Sequence, residues 1–336
     1  MSAASPAPPV FFQLLAERTG HPGALVLAPG REGLAAEQAQ AMADALPIAG
    51  LQELSIQLPC FYRSSLLGPV GDALETACWH ELHSTIVLQV NVGASLPGLL
   101  PPPMAWVDGD WYLAAPPKPV GAQAASRALA TQLVQLVAAD ADTHEIEALL
   151  RRDPTLSYHL LRLVNSLGMG SSRRVTSFSQ ALMILGRQQL RRWLNLMLFS
   201  AREGDARSPM LLARVAVRAH AMELLAKAAG LDRHTQEQGF MAGMFSLLGV
   251  LFGMPLAEVL QPLAIGETVQ DALLNRGGEL GCLLALVDAA EQRDGAALLT
   301  QLDALQLGVD DYHRIMVEAH LWMLGLVAGG AGSAHA

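Results

Sequence analysis

The sequence predicts a two-domain α+β protein, with a small α/β unit built on a parallel sheet over residues 11–115 and an all-α domain over 122–328. Three observations predict it. Strand-like and helix-like runs alternate up to about residue 115. A proline-rich stretch, "APPKPVG", places a linker at 116–121. Beyond it, apolar residues recur almost everywhere at the helical spacing. Residues 1–10 and 329–336 read as disordered ends.

In chain order, "ALVLA" (24–28), "LQELSIQL" (51–58) and "STIVLQV" (84–90) read as strands, and 33–46 and 65–82 read as crossover helices. "AWVDGDWYLA" (105–114) puts Asp108-Gly109 between aromatic flanks, a hairpin or tight-turn signal. In the second half, "RRDPTLSYHLLRLVNSLG" begins a helix with Asp153 as N-cap and Pro154 in the first turn. Ser177 and Gln180 form a capping box for the next. Long helices are expected at 208–230, 234–252, 279–292 and 310–328.

At 336 residues the chain is long enough for two cores, and 51% hydrophobic with 16% charged residues suits a helical protein with large buried faces. The net charge of −9 argues against a polyanion binder. Cys60, Cys78 and Cys282 form no CxxC pair, which points to a reducing compartment, and the N-terminus has no signal-peptide pattern. A cytoplasmic protein is expected. The first nineteen residues of "GFMAGMFSLLGVLFGMPLAE" (239–258) are uncharged, long enough for a membrane span. Four glycines, Ser246 and Pro255 favour a buried core helix instead.

The run "IEALLRRDPTLSYHLLRLVNSLGMGSSRRVTSFSQALMILGRQQLRRWLNLML", with "AGMFSLLGVLFGMPLAEVL" and "ALLNRGGELGCLLALVDAAEQRDGAAL", resembles the HDOD domain, related in fold to HD-type phosphohydrolases. The likeness extends to bacterial signalling proteins that join an EAL domain to an HDOD domain. It implies that the helix from Ala242 to Gly249 corresponds to the one that carries adjacent His and Asp metal ligands in HD hydrolases. Here Ser246 and Leu247 occupy that slot, a degenerate HD position. Neutral serine is a poor metal ligand and leucine is none. "GDWYLAAPPKPVG" is similar to the end of an EAL barrel, but only about 115 residues precede the linker where such a barrel takes ~250. The N-terminal unit therefore reads as a truncated, EAL-like part without a catalytic set.

The other histidines offer a second candidate metal set. His220 and His234 are the candidate ligands, without carboxylates at metal spacing. His313 and His320, seven apart, share a helix face, and the plain reading of all four is surface or hydrogen-bonded core residues. His80 and His83 read as a helix surface.

Between Arg151 and Arg192, eight arginines stand against Asp153 alone, a local charge of +7 in a chain of −9. Arg173, Arg174, Arg187, Arg191 and Arg192 are the candidate partner- or phosphate-binding residues. A solvated basic face is the plain reading of the same stripe.

The expectation from sequence is a non-catalytic signal-transduction protein with no cofactor, whose HDOD domain is a regulatory scaffold for a protein partner. A homodimer through an exposed sheet edge is the further expectation. A metal-dependent phosphohydrolase and a nucleic-acid or cyclic-dinucleotide binder are the competing readings. Nucleic acid is disfavoured by the overall acidity, and no membrane contact is expected.

Overall fold

The computed structural model describes residues 7–66, 68–94, 96, 100–116, scattered positions between 132 and 146, 205–261 and 265–331. Among these, six strands form one sheet: β1 (Phe11–Ala16), β2 (Pro22–Ala28), β3 (Cys60–Arg63), β4 (His80–Leu82), β5 (Val87–Gln89) and β6 (Trp106–Asp108). The spatial order is β4-β3-β2-β1-β6-β5. The sheet is mixed, which corrects the expected parallel one. β1 runs antiparallel to both β2 and β6, while β2–β3–β4 and β5–β6 are parallel. The cause is the connection 17–21: five residues can turn a hairpin but cannot make a crossover. Both edge strands, β4 and β5, are only three residues long.

Three helices accompany the sheet: α1 (Ala39–Asp44), α2 (Ile48–Gln57) and α3 (Pro69–Thr76). Residues 51–58, expected as a strand, belong to α2. Read at period two, Leu54, Ile56 and Leu58 share a face; in the structure Ile56 is 84% exposed, whereas Leu51 and Leu54 are fully buried. The pair three apart decides in favour of helix. The Leu51 carbonyl also accepts from the Trp79 indole at 2.9 Å.

The expected helix 65–82 stops at Thr76. Cys78 takes φ +62°, its N–H reaches Glu75 O, and the Trp79 N–H reaches Leu74 O. This is a Schellman ending with cysteine where glycine is usual, and it turns the chain into β4. His80 consequently lies on a strand and not on a helix surface. Asp108-Gly109 makes the tight turn and not a hairpin: it leads from β6 into a 3₁₀ turn at Trp111–Leu113. Gly109 has φ +113°, and a Cβ there would run into Val90 O.

The helices from residue 208 on are α4 (Ser208–Ala228), α5 (Arg233–Phe245), α6 (Leu248–Phe252), α7 (Leu256–Leu260), α8 (Glu267–Asn275), α9 (Gly278–Gln292), α10 (Gly295–Ala304) and α11 (Val309–Ala331). The single helix expected over 234–252 is broken at Ser246-Leu247. The Ser246 hydroxyl donates to Gly243 O at 2.6 Å, and Leu247 leaves the helical region with φ −107°, ψ 10°. No helix among the described residues is long and apolar enough to cross a membrane.

One face of the sheet and the helices share a continuous core. Leu25, Leu27, Cys60, Tyr62 and Trp79 lie in the same cluster as Met222, Phe240, Leu284 and Tyr312. The opposite face carries a small cluster of Leu15, Ala24, Val26, Leu82 and Val87. Alternation along β2 separates the two sets. α4 and α5 cross closely at Gly243, where an added Cβ would stand 2.8 Å from Ala219 Cα and from Arg218 O. His313 on α11 ties the first strand to the last helix: Val10 N–H donates to Nε2 at 3.0 Å, and Nδ1 lies 3.1 Å from Ala45 O.

Candidate functional site

Ser246 and Leu247 sit at the α5–α6 break. Ser246 is half-buried with its hydroxyl engaged by Gly243 O, and Leu247 is buried. His220 stacks on Trp322 with ring centroids 4.7 Å apart, and its Nδ1 lies 3.4 Å from Glu223 Oε2. His234 is exposed in the first turn of α5, beside the N-cap Asp232. Hydrogen bonds from the Thr235 backbone hold the Asp232 carboxyl below its usual range. Among the described residues no group of three or more His, Cys, Asp or Glu is arranged to hold a metal ion. Arg173, Arg174, Arg187, Arg191 and Arg192 lie outside the described residues.

Sequence reading missed a second arrangement, where the sheet meets α4, α9 and α11. Arg214 and Arg218, four apart on α4, face Asp288 and Glu291, three apart on α9. Arg214 reaches Glu291 at 2.8 Å and Asp110 at 2.9 Å, and donates to the Tyr112 hydroxyl at 2.7 Å. Arg218 pairs with Asp288 at 2.6 Å and with Glu291, and Arg276 reaches the other Asp288 oxygen at 2.8 Å. The chain of ion pairs thus runs from α8 to the residues just after β6. Burial pulls the Arg214 pKa down, but Glu291, Tyr112 and Asp110 outweigh it and hold it above its ordinary value. Burial also raises the Tyr112 pKa, against the pull of Arg214.

Beside this network lies a cavity of about 110 Å³. Its walls include Phe12, Gln13, Tyr112, Glu291, Tyr312 and His320. The His320 ring packs at a tilt against Phe12 with centroids 5.3 Å apart, and its Nδ1 lies 2.7 Å from Met316 O. Burial pulls its pKa down to about 4, so the ring is neutral at pH 7. Asp108, on the same wall, is paired with Arg63 and accepts from Gln89 at 2.9 Å.

Residues 126–272 match the family model of the HDOD domain. The chain is 33% identical over 186 residues to the cyclic di-GMP phosphodiesterase CdgJ of Vibrio cholerae, covering 54% of this chain and 42% of that protein. It is 30% identical over 147 residues to the uncharacterized protein YuxH of Bacillus subtilis, covering 43% of this chain and 36% of that one. It therefore spans less than half the length of either curated relative. A crystal structure of a provisionally assigned phosphohydrolase from Shewanella amazonensis superimposes with a TM-score of 0.41 at 16% identity, covering 61% of this chain and 93% of the other.

The family match leaves out residues 11–115, where an EAL-like unit was expected. One expectation is corrected outright. The reading of the chain as having no enzymatic activity does not stand beside a relative at 33% identity that is named as a phosphodiesterase.

Proposed function

We propose that this protein is a cytoplasmic component of bacterial signal transduction whose HDOD domain is a regulatory module that docks a protein partner. The HDOD match over residues 126–272 is the observation that supports the reading. The basic stripe Arg151–Arg192 falls inside the match, and it offers the planar, bidentate donors that an acidic partner surface requires. The test is a pull-down from the source cell with wild type and with Arg173, Arg174, Arg191 and Arg192 changed to Glu, after thermal melts have shown equal folding. A specific partner lost in the mutant supports docking through the stripe. Identical partner sets, or none, remove it.

A second reading rests on the likeness to CdgJ: action on cyclic di-GMP. Incubating the purified chain with cyclic di-GMP and Mg²⁺ or Mn²⁺, followed by chromatography of the products, tests turnover. Titrating the dinucleotide at two salt concentrations tests binding through the stripe, because phosphate contacts impose a salt slope. Neither product nor binding would retire this reading.

A further inference from the structure

The edge strands β4 and β5 lie five inter-strand steps apart in the sheet order. Five steps are about 24 Å in a flat sheet. Yet only residues 83–86 join Leu82 to Val87, a length of chain that reaches about 18 Å at full extension. The sheet therefore curls, and Leu82 and Val87 meet Leu15, Ala24 and Val26 in one cluster on its inner face. Phe61 and Trp106 pack against the same cluster. Arg63 and Asp108, two residues further along β3 and β6, share that face and pair with each other across the curl. All strands but β1 point the same way, so their carboxyl ends form one rim. Arg63 ends β3, Gln89 ends β5 and Asp108 ends β6. The carboxyl ends of parallel strands are where α/β sheets receive ligands.

Cations gather at this rim without enough anions to match. Arg31 follows β2 by three residues, and its N–H donates to Arg293 O at 3.0 Å. Arg293 closes α9 with φ +55°, a position where glycine is usual. Arg276 closes α8 in the same way, and Asp288 takes its guanidinium at 2.8 Å. Among the described residues, Arg293 and Arg31 are in no ion pair. Burial lowers the Arg293 pKa, Arg63 and Arg31 lower it further, and Asp108 alone opposes them. Asp108 is already shared between Arg63 and Gln89. The other acids nearby are turned elsewhere. Asp294 caps α10 by accepting from the Ala297 N–H at 2.9 Å, and the Glu32 carboxylate lies against Gly295. Three guanidinium groups thus stand against one carboxylate. A half-buried cation without a partner is destabilising, and a bound anion removes that cost.

We propose that the rim between Arg31, Arg63 and Arg293 binds a small oxyanion of the phosphate class. Arg293 offers an unclaimed planar fork and Arg31 a second cation. Arg63, with its side chain 25% exposed, adds its charge while it keeps Asp108. The anion then ties the sheet to the end of α9. None of these arginines belongs to the stripe at 151–192, so the two proposals can be tested apart by substitution.

The test titrates the full chain with inorganic phosphate and with pyrophosphate, at constant ionic strength set with chloride, by calorimetry and thermal melting. Saturable binding with a rise in Tm is expected. Arg293→Gln and Arg31→Gln should each weaken it about tenfold, the value of one charge-assisted contact. Changing Arg173, Arg174, Arg191 and Arg192 to Glu should leave it unchanged. Arg293→Gln removes an unpaired cation, so without phosphate its Tm should equal or exceed that of wild type. Three results would overturn the proposal. The first is no saturable binding of either anion at millimolar concentration. The second is equal binding by wild type and both rim variants, or loss of binding in the stripe variant alone. The third is a lower Tm of Arg293→Gln without phosphate, which would mean that the arginine is already partnered within the chain.

Discussion

Acidification from pH 7 to about pH 5 should cost this protein several kcal/mol, with His313 a main cause. The tautomer of His313 is fixed by its partners. The Val10 N–H must donate, so Nε2 carries the lone pair and the proton sits on Nδ1, directed at Ala45 O. A second proton on Nε2 would oppose two N–H groups in a fully buried place. Burial therefore pulls the pKa from 6.5 down to about 4, although Ala45 O and Asp310 act the other way.

The folded state binds this proton later than the unfolded chain, so the stabilisation is complete above 6.5 and is lost as the pH falls toward 4. By about pH 5 the loss is about 2 kcal/mol, and His320, shifted the same way, adds a similar amount. Against a typical total of about 5–15 kcal/mol this is a large share. Urea unfolding at several pH values, followed by circular dichroism, measures it. His313→Gln should begin less stable at pH 7 but lose about 2 kcal/mol less than wild type on going to pH 5. Equal losses in wild type and variant, or an NMR titration of His313 near its ordinary pKa, would refute the reasoning.

Three further outcomes can be measured. Gly243→Ala should cost about 1–3 kcal/mol in a urea titration, because the new methyl meets the α4 backbone, which cannot step aside. Glu291→Gln leaves Arg218, only 5% exposed, without half of its charge partners, and should cost about 3 kcal/mol with little change on adding salt. Cys78→Gly should raise stability by about 1 kcal/mol, since cysteine at φ +62° is strained where glycine is not. The same change should remove the fast phase of thiol labelling by a disulfide reagent. Cys60, buried and with its thiol pushed up to about 12, should react only on unfolding.

Much of the helical part was legible because long amphipathic stretches carry their own signal. The runs 208–230, 279–292 and 310–328 became α4, α9 and α11 with ends moved by a few residues. The sheet was legible at β2, a continuous apolar run, and at β5, which falls inside the strand expected at 84–90. β1 and β3 escaped because "FFQLLA" and "CFYR" are short and do not alternate. α2 was misread because "LSIQL" alternates by accident while Leu51 and Leu54 decide its packing. The shared face of His313 and His320 could be read from their spacing, and both are buried core histidines. Arg214 and Arg218 were visible as charges among the apolar residues of α4. Their partners lie seventy or more residues away, so no local pattern announces the network. A cavity made by five elements leaves no trace in the sequence of any one of them.

The place of β1 in the middle of the sheet bears on how the protein is made. It is the first described strand to leave the ribosome, and its neighbour β6 follows about ninety residues later. The bond from Val10, the residue just before β1, to His313 spans 303 residues. During synthesis the nascent hairpin β1–β2 must keep its apolar face unsatisfied until α11 emerges. Contacts of such separation form slowly, and an exposed face of this kind invites wrong pairing. Translation speed and chaperone supply should therefore affect the yield of folded protein more than its final stability does.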